Sequence, residues 1–279
     1  MQIRKTAEGI CLTGDDLPDL EQTLECGQCF RWKKQENGGY TGIVKGHFCR
    51  ISQEKDRKKL LFHDVDEAEL DVLWREYFDL DFDYGAVLQH FSSLHPVLAE
   101  AAKFAGGIRI LRQNPWEALV SFILSQNNNI PRIRGIIDRL CACFGEKVPG
   151  GYAFPGPETL SRLTEEDLTP LRCGFRAAYL SSASRLVASG KVNLEEVASM
   201  PVEQAREQLM LIRGVGPKVA ECALLYGFHR LECFPMDVWM KRVMAKLFPG
   251  KDSSFFGEYA GIAQQVLFHY GRKHPEILC

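Results

Sequence analysis

Lys218, with Asp237 nineteen positions later, is the residue of this sequence best placed to do chemistry. It follows Leu211-Ile212-Arg213-Gly214-Val215-Gly216-Pro217, which reads as a helix end, a glycine hairpin and the start of a second helix. Glycine permits backbone angles closed to other residues and lets the main chain approach a ligand. The open N–H groups of a helix's first turn, with the positive end of its dipole, suit a phosphate oxygen, which makes Gly214, Val215 and Gly216 candidate phosphate contacts. Pro217 fits the first helical position, because its missing N–H would have had no intrahelical partner. Lys218 then lies where the dipole opposes positive charge, a place for an amine that acts as a nucleophile. Taken alone, the stretch fits a surface lysine after a tight turn equally well. Asp237 precedes an apolar-periodic run and by itself fits a helix N-cap.

These residues need helices to hold them, and the second half of the chain supplies the pattern. Asn114-Pro115 is a helix start, and Trp116 to Gln126 is apolar nearly all round, as a core helix is. Pro131 to Phe144 carries Ile133, Ile136, Ile137 and Leu140 on one face. Gly145 to Pro157 is a Gly/Pro-rich connection, and helices are expected over 158–163, 176–189, 202–211, 217–228, 238–248 and 255–270. Residues 1 to about 65 are β-rich instead, with strands at Phe30–Lys33, Tyr40–Val44, Phe48–Ile51 and Leu60–His63 and a hairpin at Asn37-Gly38-Gly39. A short helix over 17–24 precedes the Cys26-Gly27-Gln28 turn, and the helical period takes over from Asp66. The expected class is α+β: a small antiparallel sheet domain with flanking helices over 1–105, then a mainly α-helical region over 106–279 in two subdomains with a cleft between them.

Composition narrows the setting. The 279 residues are 46% hydrophobic and 25% charged, ordinary for a globular protein, and no apolar run reaches the ~20 residues of a membrane helix. The N-terminus lacks the apolar core of a signal peptide, so a cytoplasmic protein is expected. Ten cysteines scattered through helix- and strand-like segments read as reduced thiols. Cys26-x-x-Cys29 lacks a second pair of suitable spacing, and no metal or cofactor is expected. The net charge of −2 is unlike many nucleic-acid proteins, yet Arg132, Arg134 and Arg139 fall together, as do Arg172, Arg176 and Arg185. Such a face is enough for phosphate, and equally fits a solvated surface.

Leu211 to Cys222 (LIRGVGPKVAEC) with Pro235-Met236-Asp237-Val238 resembles the helix-hairpin-helix plus Gly/Pro/Asp signature of the DNA glycosylase superfamily, HhH-GPD. Ser125-Gln126-Asn127-Asn128-Asn129-Ile130 and Gly27-Gln28-Cys29-Phe30-Arg31-Trp32 narrow the resemblance to the 8-oxoguanine DNA glycosylases, from about residue 20 onward. That family's TBP-like sheet domain followed by two helical subdomains agrees with the independent reading of the elements.

The resemblance implies base excision from double-stranded DNA containing an oxidised purine, with the damaged nucleotide turned out of the stack. Lys218 would attack the sugar C1′, displace the base and form a Schiff base, from which β-elimination cuts the strand. Asp237 would stabilise charge developing on the sugar. Gly27 matches the glycine whose carbonyl accepts the N7–H that 8-oxoguanine has and guanine lacks. Cys222, four residues after Lys218 and so on its helical face, and Phe268 match the two residues that sandwich the base. Gln264 matches the reader of its Watson–Crick edge. Opposite the lesion, Asn127, Arg132 and Arg176 match readers of the orphaned cytosine, and Phe175 stands where the family often has a tyrosine wedge.

Trp239 departs from the histidine that better-known eukaryotic members place near the flipped nucleotide, and their long insertions and tails are absent, as in a compact bacterial form. Three alternatives compete. A monofunctional glycosylase for alkylated bases would use water and have no need of Lys218. An iron–sulfur glycosylase needs four closely spaced cysteines near its C-terminus, where this chain has only Cys279 after Cys233. A non-catalytic DNA-binding module would not need Asp237, Gln264 and Phe268. A monomer is expected, and formamidopyrimidines are further expected substrates.

Overall fold

The computed structural model describes residues 1–278. Six strands form one antiparallel sheet: β1 (Gln2–Thr6), β2 (Gly9–Thr13), β3 (Lys33–Lys34), β4 (Tyr40–Val44), β5 (His47–Gln53) and β6 (Lys59–His63), in the order β1-β2-β6-β5-β4-β3. Register places Ile10, Phe62, Ile51 and Tyr40 in one row across four strands, each at most 1% exposed. Because side chains alternate along a strand, that row defines the buried face. Trp32 lies on the same core with Trp74, Tyr77 and Phe78 from the helical stretch after β6, and its indole N–H donates to the Tyr77 hydroxyl at 2.8 Å. Gly42 makes this possible, since a Cβ there would sit 2.6 Å from the Trp32 ring.

A second core lies among the helices. Pro115–Ser125, capped by Asn114, is buried along almost its whole length and packs against Pro217–Gly227. The two approach closely at Gly227, where a Cβ would meet Ala118 and Pro115 at 3.0 Å. Helices Tyr84–Leu94 and Pro96–Ala105, grouped with the sheet by sequence, place Tyr84, Phe91 and Leu98 in this helical core, where the C-terminal helix Ala260–Lys273 packs against the second of them. The apolar division therefore falls near residue 80. Cys26 and Phe30 join the helical core and Leu111 joins the sheet core, so the two bodies interlock.

Other departures have local causes. Of the expected Phe30–Lys33 strand only Lys33 pairs with β4, joined by Lys34, because Phe30 and Trp32 are drawn into two different cores. β1 is exposed throughout and shows no apolar alternation to mark it. The expected single helix over 255–270 is broken: Ser253–Tyr259 is a 3-10 turn in which Gly257 takes φ +65°, and the α-helix starts at Ala260. Leu194–Ser199 is a further helix too short to show a period. Among the described residues, no helix is long and apolar enough to cross a membrane.

Candidate active site

The hairpin joins helix Val202–Met210 to helix Pro217–Gly227. Val215 turns inward, 5% exposed, and its N–H donates to Ile212 O at 2.9 Å. Gly214, at φ +84°, lies under the Tyr179 ring, which a Cβ would approach to 2.4 Å. Gly216 is the N-cap and has no side chain to accept from the first turn, so the N–H groups of Lys218 and Val219 are left open at the helix start.

Six residues singled out from four separate stretches of sequence line one small cavity: Gly27, Lys218, Cys222, Asp237, Gln264 and Phe268. Helical spacing accounts for two pairs, Lys218 with Cys222 and Gln264 with Phe268. The Lys218 Nζ lies 5.3 Å from the centre of the Phe122 ring. Burial pushes the Cys222 thiol above its ordinary value, and the charge and hydrogen bond of Lys218 partly oppose this. Asp237 caps helix Val238–Leu247, its Oδ1 accepting from Met240 N at 2.7 Å. That bond commits one carboxylate oxygen, and the residue also lines the cavity.

Gly27 adopts φ +89°, where an L side chain is strained, and the next residue holds it in place. The Gln28 amide, 1% exposed, donates to Thr23 O and Arg109 O at 2.9 and 2.7 Å and accepts from Leu111 N at 3.0 Å. Among the described residues, the Gly27 carbonyl accepts no hydrogen bond.

The cavity also has lining residues that the sequence reading missed, notably Phe122, Tyr226 and Gln265. Gln265 is locked: its Nε2 donates to Cys26 O at 3.2 Å, and the Tyr226 hydroxyl donates to its Oε1. A hydroxyl has one proton, so the longer 3.4 Å approach of Tyr226 to Gln264 Oε1 leaves that oxygen under-used. Gln264 Nε2 likewise reaches Pro235 O only at 3.4 Å. Of the two adjacent buried amides, one is structural and the other is free to change partners. Tyr226 lies eight residues after Lys218 on the same helix face, so periodicity alone could have found it.

At about 50 Å³ the cavity holds little more than one water, far below the ~300 Å³ of an ordinary ligand pocket. A much wider groove of about 970 Å³ runs alongside, between helix Leu20–Leu24 and the C-terminal helix, and shares Cys26 and Phe268 with the cavity. It holds neither Lys218 nor Asp237, so size does not mark the chemistry here.

The group expected to face the opposite strand divides in two. Asn127 (φ +47°), Arg132 and Phe175 are exposed, Phe175 by 54%. Arg176, matched to a reader of the orphaned cytosine, is only 3% exposed. Its Nε donates to Gln126 O at 2.9 Å, one terminal nitrogen to Cys173 O at 3.1 Å, and the other both to Gln126 O and, at 2.9 Å, to Asn127 O. The guanidinium thus clamps the Asn127 loop while stacking on Phe175 at 4.4 Å. Trp239 is turned against the C-terminal helix beside Gly271, its indole N–H buried without a partner among the described residues. Cys26 and Cys29 donate their thiols to Thr23 O and Leu24 O at 3.2 and 3.7 Å.

Comparison with known proteins gives the family and the fold. Residues 13–119 match the N-terminal domain of 8-oxoguanine DNA glycosylase, and residues 120–254 match the HhH-GPD superfamily of base excision DNA repair proteins. The N-glycosylase/DNA lyase OGG1 of Arabidopsis thaliana is 30% identical over 89% of this chain and 76% of its own length. An 8-oxoguanine glycosylase/lyase of Clostridium acetobutylicum, solved with duplex DNA carrying cytosine opposite 8-oxoG, superposes with a TM-score of 0.90 at 34% identity over 99% of both chains. MBOgg1, solved with a low-affinity DNA ligand, reaches 0.91 at 40% identity over 99% of this chain and 100% of that one. The chain belongs to the 8-oxoguanine DNA glycosylases of the HhH-GPD superfamily.

Proposed function

We propose that this N-glycosylase and abasic-site lyase removes 8-oxoguanine from duplex DNA with Lys218 as the nucleophile. The unprotonated amine attacks C1′ of the flipped nucleotide, the C1′–N9 bond breaks, and the electron pair leaves with the base, which takes up a proton. The amine loses its own protons as the sugar ring opens to a Schiff base. Loss of a C2′ proton then breaks the C3′–O bond and cuts the strand by β-elimination. Asp237 Oδ2 stabilises the positive charge that develops on the sugar.

One observation carries this reading: an amine, a carboxylate, a glycine carbonyl without a partner, and an under-bonded amide line the same cavity, although their sequence positions are far apart. The Gly27 carbonyl accepts the N7–H peculiar to the oxidised base. Gln264 reads the Watson–Crick edge, and Cys222 and Phe268 enclose the ring faces. On the DNA side, Phe175 fills the vacated stack, Asn127 and Arg132 read the orphaned cytosine, and Arg176 holds their loop while offering its last free N–H. Gly214 and Gly216, with the open first-turn N–H groups that follow, seat a backbone phosphate, while Val215, whose N–H is held by Ile212 O, anchors the hairpin. The enzyme works as a monomer. Excision rates on duplexes with 8-oxoguanine opposite each of the four bases test the reading. A clear preference for cytosine is expected, and equal rates opposite all four contradict the assignment of Asn127, Arg132 and Arg176.

A further inference from the structure

Glu221 stands three residues after Lys218 and is only 8% exposed. A carboxylate is seldom buried this far without strong partners. Its two oxygens serve two different elements. Oε1 accepts from Arg206 Nε at 2.6 Å and pairs with a second guanidinium nitrogen of the same residue. Arg206 belongs to Val202–Met210, the first helix of the hairpin. Oε2 accepts the backbone N–H of Phe234 at 2.8 Å. Phe234 lies three residues before Asp237, and its ring is held by stacking on Phe256 at 5.1 Å.

The chain leaves the lysine helix at Gly227, loops away, and returns through Cys233 and Phe234 to deliver Asp237 to the cavity. Nothing in the covalent path fixes how far Asp237 ends from Lys218. The Glu221 carboxylate does so by a short route, since it sits on the lysine's own helix and grips the returning segment. Arg206 holds the same carboxylate from the other side, so the hairpin, the nucleophile and the acid-bearing segment share one tie. A role in packing alone would not need this chemistry, because buried ion pairs are often replaced by apolar residues at no loss of stability.

We propose that Glu221 is a positioning residue that sets the separation of Lys218 and Asp237. It touches neither substrate nor reacting atoms, and its role rests on the reading of Lys218 and Asp237 given above. Glu221→Met keeps the volume and apolar contacts but cannot accept the Phe234 N–H, whereas Glu221→Gln can.

The test measures the single-turnover rate of 8-oxoguanine excision, the dissociation constant for the lesion duplex, and Tm for wild type, Glu221→Met and Glu221→Gln, at a temperature where each is folded. Displacing a reacting group by about 1 Å costs about 10²-fold in rate, so Glu221→Met is expected to lose about that factor while DNA affinity stays within about twofold. Glu221→Gln is expected to recover about tenfold of that loss. A folded Glu221→Met with wild-type rate overturns the proposal, as does an equal fall of rate and affinity in both variants. If Glu221→Met does not fold, Glu221→Asp decides, since it keeps the charge but shortens the reach to the Phe234 N–H by one methylene: a slower rate at unchanged affinity supports the tie, and a wild-type rate overturns it. Failure of the wild type itself to excise the base sinks the underlying reading instead.

Discussion

Asp237→Asn separates the two roles that one carboxylate plays. Asp237 Oδ1 caps a ten-residue helix through Met240 N, and the same residue lines the cavity. Asparagine caps about as well as aspartate, so the variant costs a few tenths of a kcal/mol and moves Tm by about 1 °C or less. The cap requires the amide oxygen, which turns an NH2 toward the site where positive charge develops. Removing one preorganised electrostatic partner of a transition state costs about 10²–10³ in kcat, or about 3–4 kcal/mol. Asp237→Ala also loses the cap, about 1 kcal/mol, which lowers Tm by about 2–4 °C. Against a stability of about 5–15 kcal/mol that loss leaves the protein folded and cannot by itself slow turnover a hundredfold. Single-turnover excision, lesion-duplex affinity and thermal melts of both variants decide the matter. The expected result is unchanged affinity, an Asn variant as stable as wild type, and a large rate loss common to both. An Asn variant with near wild-type turnover, or rate losses that follow Tm, refutes the charge role and leaves only the cap.

Phe175→Ala removes an exposed ring, so stability changes by less than about 0.5 kcal/mol, while loss of stacking with the duplex weakens lesion binding by about 1–3 kcal/mol. Titration of a labelled 8-oxoguanine duplex measures this, and unchanged affinity contradicts the wedge role. Asp79 ties the sheet body to the far end of the lysine helix: it accepts from Arg112 Nε at 2.8 Å and Tyr84 OH at 2.9 Å, and its Oδ2 lies 3.0 Å from His229 Nε2. Burial pushes its carboxyl up, but His229 and Arg112 outweigh burial and hold it below the ordinary 3.8. A depressed folded value means that this stability is present above pH 3.8 and is lost as pH falls below it. Breaking a buried pair costs about 3–5 kcal/mol, and with Arg112 39% exposed the lower figure applies. Asp79→Asn should therefore melt about 6–12 °C below wild type at neutral pH. In melts across pH that gap should narrow below 3.8, and a gap independent of pH contradicts the ion-pair account.

Periodicity explains why two pairs of cavity-lining residues were readable as neighbours: Lys218 with Cys222, and Gln264 with Phe268, each need only one helix turn of correct phase, whereas their proposed roles came from the resemblance. The sheet was readable where apolar residues alternate, as in β4 and β6, and invisible in β1, whose residues all face water. Phe122 escaped notice because its helix is buried along most of its length and so gives no direction to any one side chain. The clamp made by Arg176 was not legible at all. Its partners are carbonyls some fifty positions away, which every residue type possesses, so no side-chain pattern marks them. Glu221 was hidden in the same way, since one of its oxygens serves a backbone N–H.

The most direct test of the central claim is borohydride trapping on a duplex containing 8-oxoguanine. The wild type should yield a covalent protein–DNA adduct whose digestion maps the linkage to Lys218, and Lys218→Gln should still bind the duplex but yield none. Base release without any adduct, or an adduct that persists in Lys218→Gln, would contradict attack by this lysine.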